Sequence, residues 1–148
     1  MNNEIVIAEW NETKWLVLSS SLFMIPSIYG YYKQLYLHSL LLLLTSLISV
    51  NYWKKATYSW RRNVDLVFEK VAFIVFVSNG IIYVRYKPYV ITGYSGLILL
   101  AYCYYCSGKL FKMNNSFWWK YRVVFHLIMT LEQMIVLESI KKDIKKNI

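Results

Sequence analysis

The chain has 148 residues, a net charge of +9 and 57% hydrophobic residues, with a mean hydropathy of +0.35. That apolar share exceeds the usual level of soluble domains. It is spread over long segments that are apolar all round, which excludes a soluble domain with a polar exterior and leaves lipid as the solvent. The positive charge falls between the apolar runs and at the end of the chain, so anionic headgroups rather than nucleic acid are its expected counterions.

The first fourteen residues carry Glu4, Glu9 and Glu12 against Lys14 alone, unlike the basic start of a cleavable signal peptide, and no removed segment is expected. A hydrocarbon core of about 30 Å takes about 20 helical residues to cross, and five runs approach or meet that length. The first, residues 15–32, is the shortest and contains four serines and Pro26, which is expected to kink or divide it. The second, residues 35–53, holds five consecutive leucines from Leu40 to Leu44, with His38 near its start and Ser49 and Asn51 near its end. The third, residues 64–83, enters the membrane with Asp65, Glu69 and Lys70 and turns apolar only from Val71.

The fourth run, residues 89–107, has a small-residue patch at Gly93, Ser95 and Gly96 that suits close helix approach. Its Cys103 and Cys106 lie inside the apolar stretch and read as packing residues rather than a thiol pair. The fifth, residues 117–137, carries Arg122, His126, Glu132 and Gln133. Residues 138–148 follow as a basic tail, either an interfacial helical end or a disordered segment. Trp10, Trp15, Tyr31, Tyr32, Trp53, Tyr86 and Trp118 stand at the ends of these runs as an interfacial aromatic belt does.

The predicted fold is therefore an all-α polytopic transmembrane bundle of about five membrane-spanning helices in an integral membrane protein. It divides into an N-terminal segment (1–14), the bundle (15–137) and the tail (138–148). Lys and Arg are shared almost evenly between the two faces, so the positive-inside rule gives no orientation.

Alternating helices bring the end of the second run and the starts of the third and fifth to one membrane face. Ser49, Asp65, Glu69, Arg122 and His126 then share a leaflet as a buried polar constellation. Arg122 and His126 lie about 8 and 14 Å along the fifth run, four residues apart and so on one helix face. Two readings follow. Asp65 pairs with Arg122 inside the bundle, with Ser49 and His126 completing the hydrogen bonding, or both charged side chains snorkel to the headgroups. Glu132 and Gln133, further along, are expected to meet His38 or Asn79 across the bundle.

These residues carry a family resemblance. Ser49-Val-Asn-Tyr-Trp53, then Arg61-Arg-Asn-Val-Asp65, then Tyr121-Arg122-Val-Val-Phe-His126 resembles the superfamily of alkaline ceramidases and progestin/adipoQ receptors. Members of that superfamily have Ser-x-x-x-His near the end of an early helix, Asp opening the next and His-x-x-x-His in the last, and three histidines hold zinc in a seven-helix bundle. Several members hydrolyse lipid amides. Ser49, Asp65 and His126 match, while Trp53 and Arg122 stand where two zinc-binding histidines would be. The resemblance covers about half of the chain. It implies a reduced, metal-free relative, in which the Arg122 guanidinium takes the place of the metal's charge beside Asp65.

The expected function is that of a non-catalytic, multi-pass membrane protein without a cofactor, in a degenerate hydrolase-like bundle. Its expected partners are membrane lipids or other membrane protein subunits, not nucleic acid. The alternatives are an accessory subunit of a multi-subunit membrane complex, suggested by the many aromatic residues and short loops, and a zinc-dependent lipid amide hydrolase with a different ligand set.

Overall fold

A computed structural model describes residues 5–146; Glu4 of the acidic start and the last two residues of the tail lie outside the described part. Six helices follow one another: α1 (Trp10–Ser21), α2 (Met24–Tyr32), α3 (Tyr36–Trp53), α4 (Trp60–Tyr83), α5 (Lys87–Lys112) and α6 (Trp118–Lys146). Among the described residues the only strand-like pairing is a single antiparallel bridge between Val6 and Thr57. There Ile7 N–H donates to the Ala56 carbonyl (2.8 Å) and Tyr58 N–H to that of Ile5 (3.0 Å).

The first predicted run is divided, and Pro26 accounts for the position of the break. Proline lacks the N–H that would bond to the carbonyl four residues back, and its ring presses on that carbonyl. Four residues before Pro26 is Leu22, and the helix breaks at Leu22 and Phe23. Their N–H groups turn back to the Ser19 and Ser20 carbonyls at 3.2 and 3.3 Å.

Helices α3 to α6, of 18, 24, 26 and 29 residues, are each long and apolar enough to cross a membrane. The two halves of the broken helix are shorter, yet together they lie antiparallel along all of α3. Ile7 is bonded beside Ala56, Ser20 beside Ser46 and Ser49, and Ser27 beside Ser39. The broken helix thus covers the same height as an unbroken spanning neighbour.

The connections are tight. Gln34, between α2 and α3, and Asn114, between α5 and α6, adopt positive φ of 63° and 51°, the left-handed conformation that a chain reversal of this kind uses. No break separates the bundle from the tail: α6 continues past Leu137 to Lys146. Its last turns are fastened by Glu138, which accepts a hydrogen bond from Tyr29 of α2 and lies 3.5 Å from Lys33 and 3.4 Å from Lys142.

α6 is the central post, packing against α1, α2, α4 and α5, while α3 holds α1, α2 and α4 on the other side. One apolar cluster joins Leu42, Phe76, Val136 and Leu137 across α3, α4 and α6. A second, near the other membrane face, joins Leu16, Tyr52, Trp53 and Trp118. α4 and α5, though consecutive, have no extended contact with each other. The gap between them is what opens the site.

Candidate functional site

The polar interior is built from small residues on α1 and α3. Ser19 and Ser20 close α1 just ahead of the break, and Ser46 and Ser49 lie three residues apart on α3, so both pairs project toward the shared seam. Ser46 Oγ donates to the Ser20 carbonyl at 2.9 Å, and the Ser20 and Ser49 hydroxyls are 3.1 Å apart. Small hydroxylated side chains let membrane helices approach closely while satisfying each other's hydrogen bonds. Ser19 Oγ lies 2.8 Å from Nδ1 of His126 on α6. The imidazole is fully buried, edge-on to Phe23 at 5.4 Å between ring centres, and its Nε2 has no hydrogen-bond partner.

Arg122 lies one turn before His126. It is bonded to Glu69: Nη2 stands 3.0 and 2.7 Å from the two carboxylate oxygens. The side chains are 11% and 18% exposed, and the guanidinium also lies over the Tyr104 and Phe125 rings at 5.6 and 5.5 Å. Glu69 therefore occupies the place in the ion pair that Asp65 was expected to take. α4 and α6 start at the same face, and helical side chains lean toward the N-terminus. The longer Glu69 side chain reaches back to the level of Arg122, whereas Asp65, a turn earlier, points among other groups.

Asp65 is 1% exposed, and neither carboxylate oxygen has a hydrogen-bond partner. Ser49, Glu69 and Arg122 are the polar groups around it. All five residues of the predicted constellation lie in this half of the bundle. They divide into a Glu69–Arg122 pair, a His126 held by Ser19, a Ser49 held by Ser20, and an Asp65 without a hydrogen-bond partner.

The donor set does not fit the three-histidine zinc site of that superfamily. Trp53 packs on Tyr52 and Trp118 at 4.6 and 6.1 Å, Arg122 is engaged by Glu69, and one ring nitrogen of His126 is taken by Ser19. Among the described residues no three His, Cys, Asp or Glu side chains come together. Cys103 and Cys106 are free thiols on α5, the first of them buried.

The expected meeting of Glu132 and Gln133 with His38 or Asn79 does not form. His38 is edge-on to Phe76 at 5.9 Å, and Asn79 Nδ2 donates to the Val75 carbonyl of its own helix. Glu132 instead faces α5, at Gly93 and Gly96.

Between α4 and α5 runs a cleft floored by α6. Its wider part, about 420 Å³, is lined by Leu66, Phe73, Ala101, Tyr104, His126 and Gln133 among others. A narrower part of about 120 Å³ continues toward the opposite face, and Phe73, Leu97, Leu100, Met129 and Gln133 border both. The combined space falls within the range of ordinary small-molecule sites. Two polar atoms on its floor lack partners, His126 Nε2 and Gln133 Oε1, and Lys70 stands exposed at its rim.

Ser19, Ser20, Ser46 and Tyr104 belong to this site and are absent from the predicted constellation. Serines a helical turn apart in otherwise apolar runs were the available signal for the first three. Tyr104 had none, since α5 is rich in tyrosine throughout.

Fold and site together define a class: a multi-pass α-helical membrane protein with a buried polar cluster beside a lateral cleft. No protein-family model, curated protein or solved structure matches the chain.

Proposed function

We propose that this integral membrane protein binds the hydrocarbon chain of a membrane lipid in the cleft between α4 and α5, and that it does so without catalysing a reaction on it. The observation that carries this is the separation of two consecutive helices over a space of about 420 Å³ whose floor holds unpartnered buried polar atoms. Apolar walls suit an alkyl chain. An unmatched His126 Nε2 in a low-dielectric interior is costly until a polar group of a ligand meets it. The matches of Ser49, Asp65 and His126 to the ceramidase and receptor superfamily point the same way, toward a lipid-handling relative whose metal ligands have been exchanged for Trp53 and Arg122.

The test is the lipid that accompanies the protein through purification in a mild detergent, measured by native mass spectrometry. Ala101 is exposed and borders the cleft, so Ala101→Trp fills the space while leaving the helix contacts in place. The expected result is a bound lipid on the wild-type chain and an occupancy about tenfold lower in the variant, corresponding to about 1.4 kcal/mol of affinity. Equal lipid content in the two proteins, with unchanged melting temperatures, would rule the cleft out as the site.

A further inference from the structure

The cleft has a second polar point, on a different part of α6 from His126. Glu132 and Gln133 follow His126 by six and seven residues, about 9 to 11 Å further along the helix axis, and both line the narrower part of the cleft. Glu132 lies over a notch in α5 made by two glycines three residues apart. A Cβ added at Gly96 would stand 2.7 Å from Glu132 Cδ, and one added at Gly93 3.6 Å from Oε2. The notch therefore accepts the carboxylate only because position 96 has no side chain.

Among the described residues Glu132 has no hydrogen bond or ion pair. Gln133 is 1% exposed, and its Oε1 is buried without a partner. The surrounding walls are apolar or aromatic, with Phe76, Tyr89 and Tyr94 among them. Lys142, over the Tyr89 ring at 5.6 Å, is turned to Glu138 at 3.4 Å. Two acceptors thus belong to neighbouring residues that line the same space, and neither is bonded to a donor. An intramembrane ionisable group of this kind marks a functional position.

We propose that Glu132 and Gln133 form a binding subsite for a primary ammonium group carried on a single alkyl chain. An ammonium has three donors, enough for both the carboxylate and the amide oxygen, and tyrosine and phenylalanine faces favour a cation. A hydroxyl offers one donor, and a carboxylate or phosphate would be repelled. The chain attached to the ammonium runs past Phe73, Leu97 and Leu100, which border both parts of the cleft, into the wider space beside His126. This subsite rests on the cleft being a lipid-chain site, as proposed above.

The experiment uses the full chain in a neutral maltoside detergent and a dodecylamine bearing a photoreactive diazirine in mid-chain, with dodecylamine, dodecanol and dodecanoate as competitors. Peptide mapping after irradiation is expected to place the label on residues of α4 and α5 that border the cleft. Dodecylamine is expected to displace it at about tenfold lower concentration than dodecanol, a difference of about 1.4 kcal/mol, with dodecanoate weaker than either. Glu132→Gln keeps the shape, removes the charge and is expected to abolish the preference for the amine. Gly96→Leu fills the notch from the α5 side and is expected to do the same, so the prediction survives if one variant fails to fold. Cleft labelling with equal competition by amine and alcohol would overturn the ammonium subsite and leave the lipid-chain site intact. An amine preference that persists in a folded Glu132→Gln protein would also overturn it, and the absence of label from the cleft would overturn both proposals.

Discussion

Arg122 has two acidic side chains within a turn of each other on α4, and it bonds to the second. Truncating one member of a buried pair leaves the other charge desolvated and unpaired, typically at 3–5 kcal/mol when burial is complete. With side chains 11% and 18% exposed, solvent relieves part of that penalty. Glu69→Ala and Arg122→Ala are each expected to lower unfolding stability in detergent by about 2 kcal/mol, and the double variant by clearly less than the sum. Asp65→Asn, which alters a carboxylate that has no hydrogen bond to lose, is expected to stay within about 1 kcal/mol of wild type. Melting curves of the four variants decide it; an Asp65→Asn protein as damaged as Glu69→Ala would mean that Arg122 depends on Asp65 as much as on Glu69. The spacing of Asp65, Glu69, Arg122 and His126 was readable in the sequence because four-residue intervals share a helix face. Which acid Arg122 selects was not, since that depends on side-chain length and lean between two helices whose offset is tertiary.

At the scale of the helix, the apolar runs were legible because their length and composition follow from the thickness of the bilayer. Their ends were less so. α4 begins at Trp60 rather than residue 64, and α5 extends to Lys112 rather than residue 107, because Arg61, Arg62, Lys109 and Lys112 remain helical outside the hydrocarbon. The break in the first run was legible from Pro26, although its position four residues earlier depends on where the ring meets the preceding turn. The α4–α5 cleft was not legible at all: Phe73 and Leu97 border it, the exposed Val71 and Ile98 close by in sequence do not, and residues inside and outside the cleft share one composition. A prediction follows for the break. Replacing proline by alanine in a helix interior is worth about 3 kcal/mol of propensity, yet in this bundle Ser19 must meet His126 on one side of the break and Ser27 must meet Ser39 on the other. Pro26→Ala is expected to give no rise in melting temperature, because a straightened helix cannot keep both contacts. A rise of several degrees would show that the break does no structural service.

For the whole molecule, four helices are long and apolar enough to cross a membrane, and the antiparallel match of the broken helix to α3 predicts a fifth crossing, which would put Asn11 and Asn114 at one face and Gln34 and Tyr86 at the other. Single cysteines at these four positions, in a chain with Cys103 and Cys106 changed to serine, are expected to divide two and two when sealed vesicles are treated with a membrane-impermeant maleimide. Labelling of Asn11 from the same side as Gln34 would reduce the count to four. The central place of α6 has a further consequence, for biogenesis. It is the last of the six helices to leave the ribosome, yet four others pack on it and Glu69 finds its guanidinium only there. Until α6 is in place Glu69 lacks the guanidinium that bonds it, so the docking of α6 is the step that matches an otherwise solitary membrane carboxylate.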